Sequence, residues 1–139
     1  MESGSRSEGF IHDPRIVLYT LSKTIAAEEV EERTEDVFVL DVRPTYSYRE
    51  EHIAGSHNLP IYDQLAGDNF IGLDASLDDL PTDREITVVC FSGSKASKAA
   101  AYLRDHGYDA AALAGGITGW TGATTGSVPS TETDVAPAN

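Results

Sequence analysis

Cysteine is nearly absent: Cys90 is the one thiol in 139 residues. That excludes an internal disulfide and any metal cluster built on several thiolates. Lysine is almost as scarce, at Lys23, Lys95 and Lys98 alone. Ten Lys and Arg against 23 Asp and Glu leave a net charge of −13. Such a chain lacks the clustered cations that phosphate contacts need, so no nucleic-acid partner is expected. The four histidines, His12, His52, His57 and His106, lack the paired spacing of zinc ligands, and neither a metal nor another cofactor is expected. No apolar run reaches membrane-spanning length, and the opening Met1-Glu2-Ser3-Gly4-Ser5 is polar rather than a signal-peptide pattern. The expectation is a soluble cytoplasmic protein with no membrane partner. High acidity with few lysines also resembles the composition of proteins from salt-loving microbes, and it favours solubility.

What is present reads as one domain of alternating strands and helices. Residues 1–14 and 122–139 are expected to be flexible tails. The second contains only Val128 and Val135 as large apolar residues, too little to offset its ordering entropy. Between them, strands are expected at Ile16–Tyr19, Val37–Leu40, Asn58–Leu59, Ile86–Val89 and Ala110–Leu113, five in all. Helices are expected over Ala26–Arg33, from Pro44 to about Glu51, from about Lys95 to His106 with Gly107 as the stop, and after Gly115-Gly116 in a short turn containing Trp120. Residues 61–85 mix Gly67, Gly72 and Pro81 with acidic clusters, which predicts short helices joined by loops. Continuous apolar strands alternating with helices point to a parallel sheet covered by helices.

Cys90 stands where the buried run Ile86-Thr87-Val88-Val89 meets Phe91-Ser92-Gly93-Ser94 and a helix begins. Unpaired amides at a helix start favour negative charge on a sulfur placed there, which makes it a nucleophile. The alternative role is one more buried apolar strand residue. Charge sharpens the case, because residues 86–104 contain Lys95, Lys98 and Arg104 and no acid, so the rest of the chain carries −16. Cations in a first helical turn oppose the helix dipole. An anionic substrate or a thiolate would account for them, and so would pairing with acids elsewhere on the surface.

Three segments resemble the single-domain rhodanese-like sulfurtransferases. Leu40-Asp41-Val42-Arg43, followed by Tyr48, His52-Ile53-Ala54-Gly55-Ser56 and Asn58-Leu59-Pro60, is similar to the family's D-V-R and H-I-x-G signature. Cys90-Phe91-Ser92-Gly93-Ser94-Lys95 is similar to the active-site pattern C-x-x-G-x-R/K, and Leu113-Ala114-Gly115-Gly116-Ile117-Thr118-Gly119-Trp120 to the closing L-x-G-G segment. The resemblance spans about residues 15–121 and implies a three-layer α/β fold with a central, mainly parallel five-stranded sheet flanked by helices. It implies that Cys90 carries the transferred sulfur as a persulfide and that Phe91, Ser92, Gly93, Ser94 and Lys95 cradle the substrate. Lys95 would hold an anionic donor, and Asp41 and Arg43 would support the loop, although an N-cap role for Asp41 is equally compatible with its place. His52 and His57 are expected in turns, and Trp120 in the core or as a lid over the last turn.

Two departures change the expectation. Ser47 stands where the family usually has Glu and Glu51 where it has Gly, so Glu50 or Glu51 is expected to partner Arg43. Phe91 and Ser92 leave the loop without a basic residue after the cysteine, which makes a protein persulfide donor as reasonable as thiosulfate. With one cysteine, sulfur must leave to an external thiol, cyanide or protein acceptor. Two other classes compete. A cysteine phosphatase or arsenate reductase would need Arg six positions after the cysteine, where Ala96 stands, and a longer loop. A noncatalytic rhodanese-like interaction module would not need Cys90.

Overall fold

The structure is a computed structural model and describes residues 23–126. Its centre is three parallel strands, β2 (Val37–Asp41), β5 (Glu85–Val89) and β6 (Ala110–Leu113). Their side chains are almost all buried, as expected of strands covered on both faces. β1 (Thr24–Ile25) pairs with β6 at one edge and β4 (His57–Asn58) with β2 at the other, giving the order β1-β6-β5-β2-β4, all parallel. A second small sheet pairs β3 (His52–Ile53) antiparallel with β7 (Thr124–Thr125).

Side-chain alternation sorts the core into two layers. Leu40 and Val42 from β2 and its extension share one face with Ile86, Val88 and Cys90. Val37 and Val39 share the other with Val89, Leu113, Ile53 and Trp120, against which Val30 of helix α1 (Ala27–Glu32) packs. Helix α2 (Thr45–Glu50) follows Pro44, which occupies the N-cap position. The segment after β4 forms α3 (Tyr62–Ala66), α4 (Ile71–Ala75) and a 3₁₀ turn, Leu77–Asp79, matching the expected short helices. Leu65, Leu73 and Leu80 pin it to the core.

Helix α5 (Ser94–Asp105) buries Ala96, Ala99, Ala100 and Leu103, the i, i+3, i+4, i+7 stripe of a helix lying on a sheet. Its stop is the expected one. Gly107 has φ 92°, its N–H bonds to the Arg104 carbonyl at 3.1 Å, and the Tyr108 N–H reaches the Leu103 carbonyl at 3.0 Å. The Tyr102 hydroxyl donates to Asp74 at 2.6 Å, which, with burial and the Asp74 charge, raises its pKa.

The strand expected at Ile16–Tyr19 lies outside the described residues; among those described, β1 occupies the edge beside β6. Several expectations are corrected. His52 and His57 are strand residues rather than turn residues. Trp120 follows the last 3₁₀ turn, Ile117–Gly119, instead of lying inside it. Residues 122–126, expected at the start of a flexible tail, belong to the folded body. The Ala123 carbonyl accepts the Ala54 N–H at 3.2 Å and the Trp120 Nε1–H at 3.3 Å, and β7 pairs with β3. Backbone hydrogen bonding holds them, a signal that side-chain composition does not carry. Among the described residues no helix is long and apolar enough to cross a membrane.

Candidate active site

Cys90 directly follows β5 at 1% exposure, on the face covered by α5. Charge on a sulfur buried to that degree needs hydrogen-bond donors. Two are supplied: the Gly93 N–H at 3.0 Å and the Ala96 N–H at 3.3 Å, both aimed at Sγ. The chain turns back under the sulfur because Gly93 adopts φ 120°, a conformation that a side chain would strain. The Gly93 carbonyl then accepts from the Ser97 N–H and hydroxyl, each at 3.0 Å, which starts α5.

The loop is shaped from outside by the Gly115-Gly116-Ile117-Thr118 turn. The Ile117 N–H bonds the Cys90 carbonyl at 2.9 Å. The Phe91 carbonyl accepts the Thr118 N–H at 3.3 Å and the Thr118 hydroxyl at 3.2 Å. With the carbonyls tied to this turn, the loop offers Sγ its N–H groups, the polarity an anionic sulfur requires. Gly116, at φ 59° and ψ −157°, allows this approach, since a Cβ there would lie 2.5 Å from the Phe91 oxygen. Sequence reasoning found the Gly-Gly motif but not its seat on the cysteine loop.

Asp41 and Arg43 form a buried pair, with side chains 1% and 6% exposed. Arg43 donates from Nη2 to Oδ2 at 2.8 Å and from Nε to both oxygens, and its backbone N–H reaches Oδ1 at 3.0 Å. Asp41 is therefore Arg43's carboxylate partner, where Glu50 or Glu51 was expected. Glu51 gives Arg43 only its backbone carbonyl, at 2.7 Å, and its carboxylate accepts from Thr124. Nor does Asp41 cap α2, whose N-cap is Pro44. The Asn58 amide donates to the Asp41 and Arg43 carbonyls, both at 3.0 Å, so the first motif locks itself. Alternation places Asp41 with Val37 and Val39, on the face opposite Cys90. The pair meets the loop through Phe91, whose ring lies 5.7 Å from the Arg43 guanidinium.

Of the two lysines near the cysteine, Lys98 is committed elsewhere: its ammonium bonds Asp68 at 2.7 Å and the Leu65 carbonyl at 3.1 Å. Lys95 reaches the Ser94 hydroxyl at 3.5 Å and stands over the Tyr62 ring, and no carboxylate among the described residues pairs with it. Ser92 and Ser94 are exposed on the loop. His52 and His57 are engaged elsewhere. His52 stacks on Tyr48 with centroids 3.7 Å apart, and His57 stacks on Phe38 at 4.4 Å. Trp120 is a core residue. Among the described residues no set of three His, Cys, Asp or Glu side chains gathers to hold a metal.

A cleft of about 280 Å³ at the opposite end of the strands is lined by Lys23, Glu29, Arg33, Glu85 and Asp109. These are mutually paired charges. Arg33 bonds Glu85, and that bond leads the causes raising its pKa, opposed by desolvation and helped by the charges of Glu85, Glu29 and Asp36. Lys23 stands 3.9 Å from Asp109. The cleft holds no thiol, and its cations are engaged with its own carboxylates.

Known proteins resemble this chain in sequence and in fold. The chain is 33% identical over 101 residues to the thiosulfate sulfurtransferase GlpE of Shewanella oneidensis, covering 70% of this chain and 91% of that one. It is 30% identical over 83 residues to the adenylyltransferase and sulfurtransferase MOCS3-1 of Zea mays, and there it spans only 17% of the relative's length. A rhodanese-related protein from Thermoplasma volcanium has the same fold, with a TM-score of 0.64 at 25% identity over 74% of this chain and 97% of that one. The model of the rhodanese-like domain matches residues 26–123, nearly the whole described body, and the chain belongs to that family.

Proposed function

We propose that this chain is a rhodanese-type sulfurtransferase that carries a sulfane sulfur as a persulfide on Cys90. The observation that carries the reading is the convergence of the Gly93 and Ala96 N–H groups on Sγ, in a loop whose first two carbonyls are engaged by the Gly116–Thr118 turn. In the first step the Cys90 thiolate attacks the outer sulfur of the donor. A new S–S bond forms, the donor's S–S bond breaks, and the leaving group departs with the electron pair, as sulfite when the donor is thiosulfate. In the second step a nucleophile such as cyanide or a thiol attacks the outer persulfide sulfur and restores the thiolate.

The outer sulfur is anionic, and the N–H groups that hold the thiolate are placed to hold it too. Phe91, Ser92, Gly93, Ser94 and Lys95 form the substrate cradle, with Lys95 as its cation. Asp41 and Arg43 brace the loop through Phe91. A single working thiol suits a reducing compartment such as the cytoplasm. The donor is thiosulfate or a protein persulfide, and the acceptor is cyanide, a thiol or a protein.

Intact mass spectrometry after incubation with thiosulfate, and separately with a persulfide donor, tests the reading. The expected result is one added sulfur on Cys90, removed by cyanide. An unchanged mass with both donors overturns it.

A further inference from the structure

Tyr62, the first residue of α3, lies far from Cys90 in sequence, yet its ring meets both ends of the cysteine loop. The Phe91 ring approaches it edge-on, with centroids 5.0 Å apart at 79°. The Lys95 ammonium stands 5.5 Å from its centroid. With the Arg43 guanidinium 5.7 Å from the Phe91 ring, cation, aromatic, aromatic and cation follow in series from the buried pair to the helix start. A lysine stem in solvent samples many rotamers. A carboxylate would fix this one but cancel its charge, as Asp68 does for Lys98. An aromatic face restrains an ammonium and leaves its charge available to an incoming anion.

We propose that Tyr62 is a positioning residue that holds Lys95 beside the cysteine loop as a charged arm selecting anionic sulfur donors, a proposal that rests on the sulfur-transfer reading above. The ring performs this, through its face toward Lys95 and its edge contact with Phe91. The hydroxyl has no part in it, so phenylalanine should serve as well as tyrosine. The scarcity of lysine gives the arm its value: against −16 on the rest of the chain, a mobile cation would be drawn to surface carboxylates.

The single thiol makes the test specific. Second-order rates of Cys90 alkylation are measured with iodoacetate, which is anionic, and with iodoacetamide, which is neutral. Their ratio reports the local preference for an anion, whereas loosening of the loop moves both rates together. The ratio should fall about two- to fivefold in Tyr62→Leu and about five- to tenfold in Lys95→Ala, and it should stay at the wild-type value in Tyr62→Phe. The proposal is overturned if Tyr62→Leu keeps the wild-type ratio, if Tyr62→Phe loses as much as Tyr62→Leu, or if Lys95→Ala leaves the ratio unchanged. Sulfur uptake by the wild type is followed in parallel. No uptake with the expected ratios overturns the sulfur-transfer reading and retains the charged arm, and uptake with unaltered ratios does the reverse.

Discussion

Gly116 lies so close to Phe91 that a methyl group on it would meet the Phe91 carbonyl carbon at 2.6 Å. Its backbone conformation is one that only glycine adopts freely, and any other residue there costs about 1–3 kcal/mol. Gly116→Ala should therefore destabilise the domain by at least that amount and displace the Cys90–Phe91 backbone. Sulfur transfer should fall more than about tenfold, a barrier increase of about 1.4 kcal/mol. Urea unfolding and a thiosulfate:cyanide assay check both parts, and a variant with wild-type stability and rate removes this contact from the account.

The Asp41–Arg43 pair should be costly to break from one side. Arg43→Met leaves the Asp41 carboxylate buried without its partner, and the expected loss is about 3–5 kcal/mol. Replacing both, as Asp41→Asn with Arg43→Met, should recover part of that loss because no unpaired charge remains. Chemical denaturation of the single and double variants measures the difference. A single variant that loses less than about 1 kcal/mol would mean water reaches the carboxylate.

Cys90→Ser should abolish sulfur transfer while keeping the fold, because the hydroxyl can accept the Gly93 and Ala96 N–H groups and cannot form a persulfide. Circular dichroism checks the fold, and the assay runs beside an active wild type. Retention of more than about a tenth of the rate, a loss under about 1.4 kcal/mol, contradicts covalent catalysis at this residue.

Removing residues 123–139 should lower the melting temperature by several degrees relative to removing 127–139. The difference isolates the β3–β7 pairing and the Ala123 carbonyl contacts, with each backbone bond contributing about 0.5–1.5 kcal/mol. Thermal scans of the two truncations give the comparison directly. Equal melting temperatures would show that β7 adds nothing to the body.

Self-repulsion among the surface carboxylates should make the domain more stable as salt rises. The Debye length shrinks from about 30 Å at 0.01 M to about 3 Å at 1 M, which screens the excess of acids over cations. Melting temperatures across that series should climb, and a flat series would show that the acids are too dispersed to repel.

The central strands were legible because β2, β5 and β6 are apolar runs bounded by polar residues, and α5 because its stop is a glycine at the left-handed position. Two-residue strands such as Thr24–Ile25 and Thr124–Thr125 have no period to detect, and only pairing defines them. Cys90 and its loop could be found from strand-end logic and charge. The partner of Arg43 could not, because Asp41 and Glu51 are both near it in sequence and only side-chain direction chooses between them. Tyr62 carried no local signal, since its role is a contact across the fold. Lys98 looked like its neighbour Lys95 until Asp68 was placed beside it.

The parallel pairing of β2 with β5 joins segments separated by helices α2 to α4, and the turn that shapes the cysteine loop comes later still, after β6. Contacts so distant in the chain must meet the cost of closing long loops before they reward the closure. A chain emerging from synthesis, or one that has partly opened, thus presents its thiol without the Gly116–Thr118 turn that orients the loop. On the sulfur-transfer reading proposed above, the ring of N–H groups around the sulfur is a property of the completed fold and not of the cysteine segment alone.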